Sequence, residues 1–183
     1  RLARDIGPVA AWKFHRDTMR SLFATLGDER TWKTWLAVTP SRFLDGRIWP
    51  PHLPRIDQGQ GDLGLRMARP FIVLPPGPIV MAGTDIPELE RKHIMRAFDS
   101  LKRAEVVLGP ADDGGFWLMG MSRRPRPPRH VLARMFAGVR WSTTNALADV
   151  LSNLNGFVEA ALVNELADID TGSDFVRWRA RSR

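Results

Sequence analysis

Short apolar runs alternate along this chain with longer segments whose apolar residues recur every three or four positions, and that alternation confines it to an α/β fold. The runs IVMAGT at 79–84, EVVLG at 105–109, GFWLMGM at 115–121 and FVEAALV at 157–163 have the length and β-branched or aromatic content of buried strands. WKTWLAV at 32–38, closed by Thr39-Pro40, reads the same way. Between the runs, Pro8 occupies a favoured first helical position, and Val9, Trp12, Met19, Leu22, Phe23 and Leu26 recur at helical spacing until Gly27. Asp62 offers an N-cap to a short helix with Gly64, Met67, Ala68 and Phe71 on one face. Pro87 is expected to open a helix carrying Ile94, Ala97, Phe98 and Leu101. Ser142 or Thr143 is expected to cap one carrying Leu147, Val150, Leu151 and Leu154, and 173–178 forms a last helical turn. The stretch 41–61, punctuated by Pro50, Pro51, Pro54, Gly59 and Gly61, reads as loop. The expectation is a single domain built on one mainly parallel sheet flanked by helices.

Composition narrows the chemistry. With 183 residues, 44% of them apolar, the chain can bury a core without staples. It has no cysteine, which removes disulfides, thiolate metal sites and a cysteine nucleophile and fits a reducing cytoplasm. No apolar run is long enough to cross a bilayer, so no membrane partner is expected. The net charge of +7 favours an anionic partner. Much of the excess lies in SRRPRPPRHVLAR at 122–134 and RWRARSR at 177–183, where solvated surface is the ordinary reading. The four histidines have no metal-ligand spacing, and neither a G-x-S-x-G elbow nor a Walker-type phosphate loop occurs.

In open α/β sheets, ligands collect beyond the carboxyl ends of the strands. MAGTDIPEL at 81–89 places Asp85 at such an end. Its carboxylate suits either Mg²⁺ or Mn²⁺ on nucleotide phosphates, or the positive end of the helix that follows. LADIDTGSDF at 166–175 sets Asp168 and Asp170 on one side of an extended segment, where they either reach one cation or belong to a turn. DQGQGDLGLRM at 57–67 brings a glycine-interrupted turn into a helix, with Gln60 able to read a base edge. GPADDGGFWLMG at 109–120 is either a hairpin or a glycine floor for a second substrate, with Asp112 or Asp113 as acid, base or hydroxyl-binding group.

The order QGQGDLGLRM, GPIVMAGTDIPEL, EVVLGPADDGGFWLMG, VRWST, ADIDTGSDF resembles the bacterial DUF2064 family, from Arg1 to about Phe175. That family has the GT-A (Rossmann-like) nucleotide-diphospho-sugar transferase fold and is related to the molybdenum-cofactor nucleotidyltransferases and phospholactate guanylyltransferase. The resemblance implies a cytoplasmic, metal-dependent transferase that uses a nucleotide or nucleotide sugar and a small-molecule acceptor. It assigns Asp85 to the metal, with Asp168 and Asp170 approaching it. Gln60, Gly61, Asp62 and Gly64 fall near the base and Gly114 and Gly115 on the acceptor side. Family members open with a strand and a basic loop ending Lys-Thr-Arg-Leu. Arg1-Leu2 resemble its last two residues, so the resemblance implies that the first strand precedes Arg1, which itself contacts the nucleotide.

Two reactions fit. In glycosyl transfer, Asp113 serves as base for an acceptor hydroxyl while the metal and Arg1 neutralise the departing nucleoside diphosphate. In nucleotidyl transfer, a phosphorylated substrate attacks a nucleoside triphosphate and pyrophosphate leaves. A strand that ends G-T-D, with one carboxylate, resembles the nucleotidyltransferases. A basic nucleic-acid-binding module is the third and disfavoured reading, because the motifs gather at strand ends and not on the arginine runs.

Overall fold

The computed structural model describes residues 1–27, 30–124 and 128–181. Its elements run α1 (Leu2–Ile6), α2 (Pro8–Leu26), β1 (Leu36–Val38), β2 (Arg55–Asp57), α3 (Leu63–Val73), β3 (Ile79–Ala82), α4 (Arg91–Ser100), β4 (Val106–Pro110), β5 (Phe116–Met121), α5 (Pro128–Met135), α6 (Ala146–Leu154), β6 (Ala160–Leu162) and α7 (Gly172–Arg181), with a 3₁₀ turn at Ser41–Phe43. The α/β class and the sheet flanked by helices are as expected.

The larger sheet has the order β3-β5-β4-β6. β5 is antiparallel to both neighbours, whereas β4 and β6 are parallel, so β3, β4 and β6 point the same way. The Asp-Gly turn signal at 113–114 accounts for β5: the short link folds β5 straight back along β4. β4 and β5 are nearly sealed from solvent, with Val106, Val107 and Leu108 fully buried. α3, α5 and α6 cover one face with Phe71, Met135 and Val150, and α4 covers the other with Ile94 and Ala97.

β1 and β2 form a separate parallel pair. Leu36 donates to the Pro54 carbonyl and Gln58 to that of Val38, which leaves the Ala37 peptide turned away from β2. The Gln58 side chain donates to the Ala37 carbonyl at 3.0 Å on that outer edge. On β3, the bond from Gly83 N–H to the Trp117 carbonyl fixes the alternation and turns the peptide groups of Val80 and Ala82 outward. A cavity of about 1380 Å³, lined by both edges and by Trp32, Met67 and Phe98, separates the two sheets.

Several local expectations are corrected. α2 buries Ala11, Phe14, Thr18 and Leu22, while Val9 and Trp12 are 78% and 62% exposed. Both stripes have helical spacing, and the smaller Ala11 face is the one that fits against α1 and α7. The strand expected over 32–38 is confined to Leu36–Val38, and the loop over 41–61 contains β2. α4 begins at Arg91 instead of Pro87 because Ile86 and Leu89 first turn into the core, at 0% and 4% exposure. α6 starts at Ala146 after Asn145, whose side chain makes no capping bond. Thr143 instead accepts from the Asn145 amide.

The basic stretch is partly structural. Its centre, 125–127, lies outside the described residues, as do 182–183 of the basic tail. Arg123, at φ 59°, donates to the carbonyls of Gly77, Phe71, Leu74 and Pro75, binding the end of β5 to the α3–β3 connection. Arg134 donates to the Asn153 carbonyl and lies over Phe157. A hydrogen bond that involves a charged group contributes about 1.5–3 kcal/mol net, and less where it is exposed. Arg123→Ala should therefore lower unfolding stability by about 2 kcal/mol, measured as a reduced urea midpoint at unchanged slope. A midpoint equal to that of the parent protein would refute this anchoring role.

Candidate functional site

Because β3, β4 and β6 are codirectional, the segments leaving them emerge on one side of the sheet. Asp85 follows β3. Asp113 follows β4. Asp168 and Asp170 follow β6 after a continuation of its pairing, in which Val163 N–H reaches the Leu108 carbonyl and Leu166 N–H reaches that of Pro110. Asp85, Asp168 and Asp170 each present one carboxylate oxygen within 4.8 Å of the others, and all three residues are partly buried.

The local sequence explains this convergence. The Asp85 carboxylate folds back over the strand end, where a Cβ on residue 83 would stand 2.6 Å from its Oδ1 and push that oxygen aside. Ile86 then plugs the core directly after Asp85. On the opposite segment, Ile169 is 1% exposed among Leu2, Ala11 and Phe14, and its amide donates to the Asp85 carbonyl at 3.1 Å. In an extended segment, neighbours on either side of an inward residue face the other way. Burying Ile169 thus presents Asp168 and Asp170 together. The Asp170 and Thr171 amides donate to Asp174 Oδ2, and Gly172 N–H donates to Asp5 Oδ2 at 2.7 Å.

The electrostatics are those of crowded anions. Burial pushes the Asp85 carboxyl above its ordinary value, and Asp170 and Asp113 add to the rise. Its own backbone amide and His15 oppose it. Burial likewise raises Asp168, to about 7, with repulsion from Asp113, Asp85 and Asp170 contributing. Arg1 Nη1 meets Asp170 Oδ2 at 3.2 Å, but both side chains are about half exposed, so the pair offsets little of that repulsion.

The other residues singled out in the sequence are placed as follows. Asp113 is exposed and accepts from the Gly115 amide at 2.7 Å, which orients its carboxylate. Gly114 has φ +86° and lies so close to the Thr144 carbonyl that a side chain could not fit; its own carbonyl accepts from Leu147. Asp112 lies 3.8 Å from Arg177. Gln60, Gly61 and Asp62 are exposed at the entry to α3, where Asp62 caps the helix by accepting from the Leu65 amide at 2.8 Å. Gly64 is buried against Trp141 and Phe136. Neither Gln60 nor Gly64 joins the carboxylate cluster. Gly83, Ile169 and Asp5 were missed by sequence reasoning. Gly83 carried a weak signal in G-T-D, and Asp5 carried none, since its partner is 167 residues away.

These features define an α/β domain with an acidic centre beyond the carboxyl ends of its codirectional strands. The chain belongs to DUF2064, described as an uncharacterized protein conserved in bacteria, whose profile matches residues 22–143. Its fold is that of a provisionally assigned nucleotide-diphospho-sugar transferase from Desulfovibrio desulfuricans G20, with TM-score 0.80 and 23% identity over 100% of this chain and 80% of that one. It is also similar to 4-diphosphocytidyl-2C-methyl-D-erythritol synthase from Anaerococcus prevotii, with TM-score 0.62 and 9% identity over 90% of this chain and 85% of that one. No curated protein matches it. No helix among the described residues is long and apolar enough to cross a membrane.

The raised Asp168 carboxyl has a consequence for stability. The folded protein holds that proton up to about pH 7, whereas the ordinary value is 3.8, so the native state binds more protons between these limits. The stability it contributes is present below about pH 4 and is lost as pH rises through about 7. In chelator, Tm should fall over this window, and Asp168→Asn should flatten the fall. An identical slope in the variant would rule out Asp168 as its source.

Proposed function

We propose that this chain is a metal-dependent transferase that takes a nucleotide sugar and passes the glycosyl group to a small acceptor. One observation carries the reading: three carboxylates that repel one another are held together at the strand ends of a fold similar to a provisionally assigned nucleotide-diphospho-sugar transferase. An all-oxygen, multiply anionic donor set fits Mg²⁺ or Mn²⁺, and a cation would remove the repulsion that raises Asp85 and Asp168. Asp85, Asp168 and Asp170 would hold the ion, which when bound neutralises phosphate charge on the departing nucleoside diphosphate. Arg1, exposed beside Asp170, adds a positive charge facing the same phosphates. Gln60, Gly61, Asp62 and Gly64 are proposed to flank the base, and Gly114 and Gly115 the acceptor.

Asp113 takes the acceptor's proton in this reading. Its charge acts on both Asp85 and Asp168, and the Gly115 amide fixes one of its oxygens. Nucleotidyl transfer from a nucleoside triphosphate is the second reading. It is favoured by the single carboxylate that ends β3 and by the similarity in fold to a diphosphocytidyl-methylerythritol synthase. We also read residues 1–183 as one domain, and the open edges of β1 and β3 support a further strand completing its sheet.

The test is thermal stability with nucleoside di- and triphosphates and nucleotide sugars, with and without Mn²⁺. A true ligand at about 100 Kd should raise Tm by roughly 5–10 °C in a metal-dependent manner. Asp85→Ala should abolish the shift, and a shift that survives it would defeat the metal role. Asp113→Asn separates the reactions. Loss of a general base should slow glycosyl transfer by about 10²–10⁴-fold, whereas nucleotidyl transfer should proceed at close to the parental rate.

A further inference from the structure

The short helix α1 touches the late acidic loop at three successive points. Leu2 packs with Ile169 in one buried cluster, Arg1 pairs with Asp170, and Asp5 accepts from the Gly172 amide. The third contact is the closest. The Asp5 Oδ2 bond is 2.7 Å, and a Cβ at residue 172 would stand 2.7 Å from the Asp5 Cβ, so the Asp5 side chain lies directly against Gly172. Gly172 begins α7; the amides just before it, of Asp170 and Thr171, donate to Asp174 Oδ2, and the Asp174 amide donates to Thr171 Oγ1. A carboxylate arriving from a remote element is well suited to the Gly172 amide, since both hydrogen bonding and the helix dipole favour it there.

Asp170 lies between two fixed points. On its amino side, Ile169 is locked into the core and bonded to the Asp85 carbonyl. On its carboxyl side, Gly172 is tied to Asp5. Asp174 also accepts from Asp170 and Thr171, but it belongs to the same loop and helix and moves with them. Asp5 is therefore the polar link from the carboxyl side of Asp170 to α1, beside the apolar contacts that Ile169, Phe175 and Trp178 make with Leu2 and Phe14.

We propose that Asp5 is a positioning residue for the carboxylate centre: acting through Gly172, it holds Asp170 within reach of a cation shared with Asp85 and Asp168. The inference rests on the reading of that centre as a cation site. It adds a residue that touches neither the ion nor substrate.

The test uses the full chain with Asp5→Ala and Asp5→Asn. Mn²⁺ affinity is read from the free-ion signal in electron paramagnetic resonance, and amide exchange is read in metal-free protein. Asn keeps an oxygen acceptor for the Gly172 amide and removes the charge. Asp5→Ala should weaken Mn²⁺ binding about fivefold, the value of one ordinary hydrogen bond. It should speed exchange at Thr171 and Gly172 selectively, while Asp5→Asn stays within about twofold of the parent in affinity. Parental Mn²⁺ affinity in Asp5→Ala overturns the proposal. So does an Asn variant as weak as Ala, which would make the effect one of charge, and so does faster exchange spread through α2 and α7, which would make it general loosening. A parent chain that binds no Mn²⁺, with Thr171 and Gly172 still freed in Asp5→Ala, sinks the cation reading and shows Asp5 holding the loop alone.

Discussion

Repulsion among Asp85, Asp168 and Asp170 is the interaction around which the rest of this molecule is arranged. Three carboxylates this close, partly removed from water, do not approach one another spontaneously. They are brought together by apolar packing on both sides. Ile86 is fully buried beneath the first, and Ile169 is buried between the other two. Each segment thus carries an acid directly beside a core residue, so the hydrophobic effect acts on the carboxylates through the intervening backbone. The codirectional β3, β4 and β6 supply the other requirement by delivering these segments to the same edge of the sheet.

Long-range compensation matters because local charges are few. Arg1 reaches Asp170 only at the surface, and His15 affects Asp85 from α2. Arg177 is engaged elsewhere, meeting Asp174 at 2.6 Å. A domain with a net charge of +7 therefore contains a concentrated negative centre. That contrast is a better guide to chemistry than the overall charge, which alone points to polyanions.

The strand runs and their acidic ends were legible because they depend on local facts: β-branched stretches, a carboxylate directly after the 79–84 run, and the alternate spacing of Asp168 and Asp170 on one segment. What escaped depends on tertiary choice. In α2, two apolar stripes were available, and packing selected Ala11 and Phe14 over Val9 and Trp12. β2 is three residues long in a proline-rich stretch and exists because β1 pairs with it. Helix α4 starts late because Ile86 and Leu89 bury first. Asp5 could not have been read from the sequence, since nothing near it announces a partner on α7. Among the residues assigned by resemblance, Gly64 and Gly114 already have structural work: one admits Trp141 and the other the Thr144 backbone.

The division between β1–β2 and β3 bears on how the domain comes apart. A continuous sheet couples its strands through shared peptide bonds, so that none opens without its neighbours. Here no such bond crosses the cavity among the described residues, and the outward carbonyl of Ala37 is answered by the Gln58 side chain from its own half. Both facing edges thus keep outward peptide groups, the donors and acceptors that one strand lying between them would pair. With such a strand in place the two sheets would become one, and the β1–β2 pair would open only together with β3.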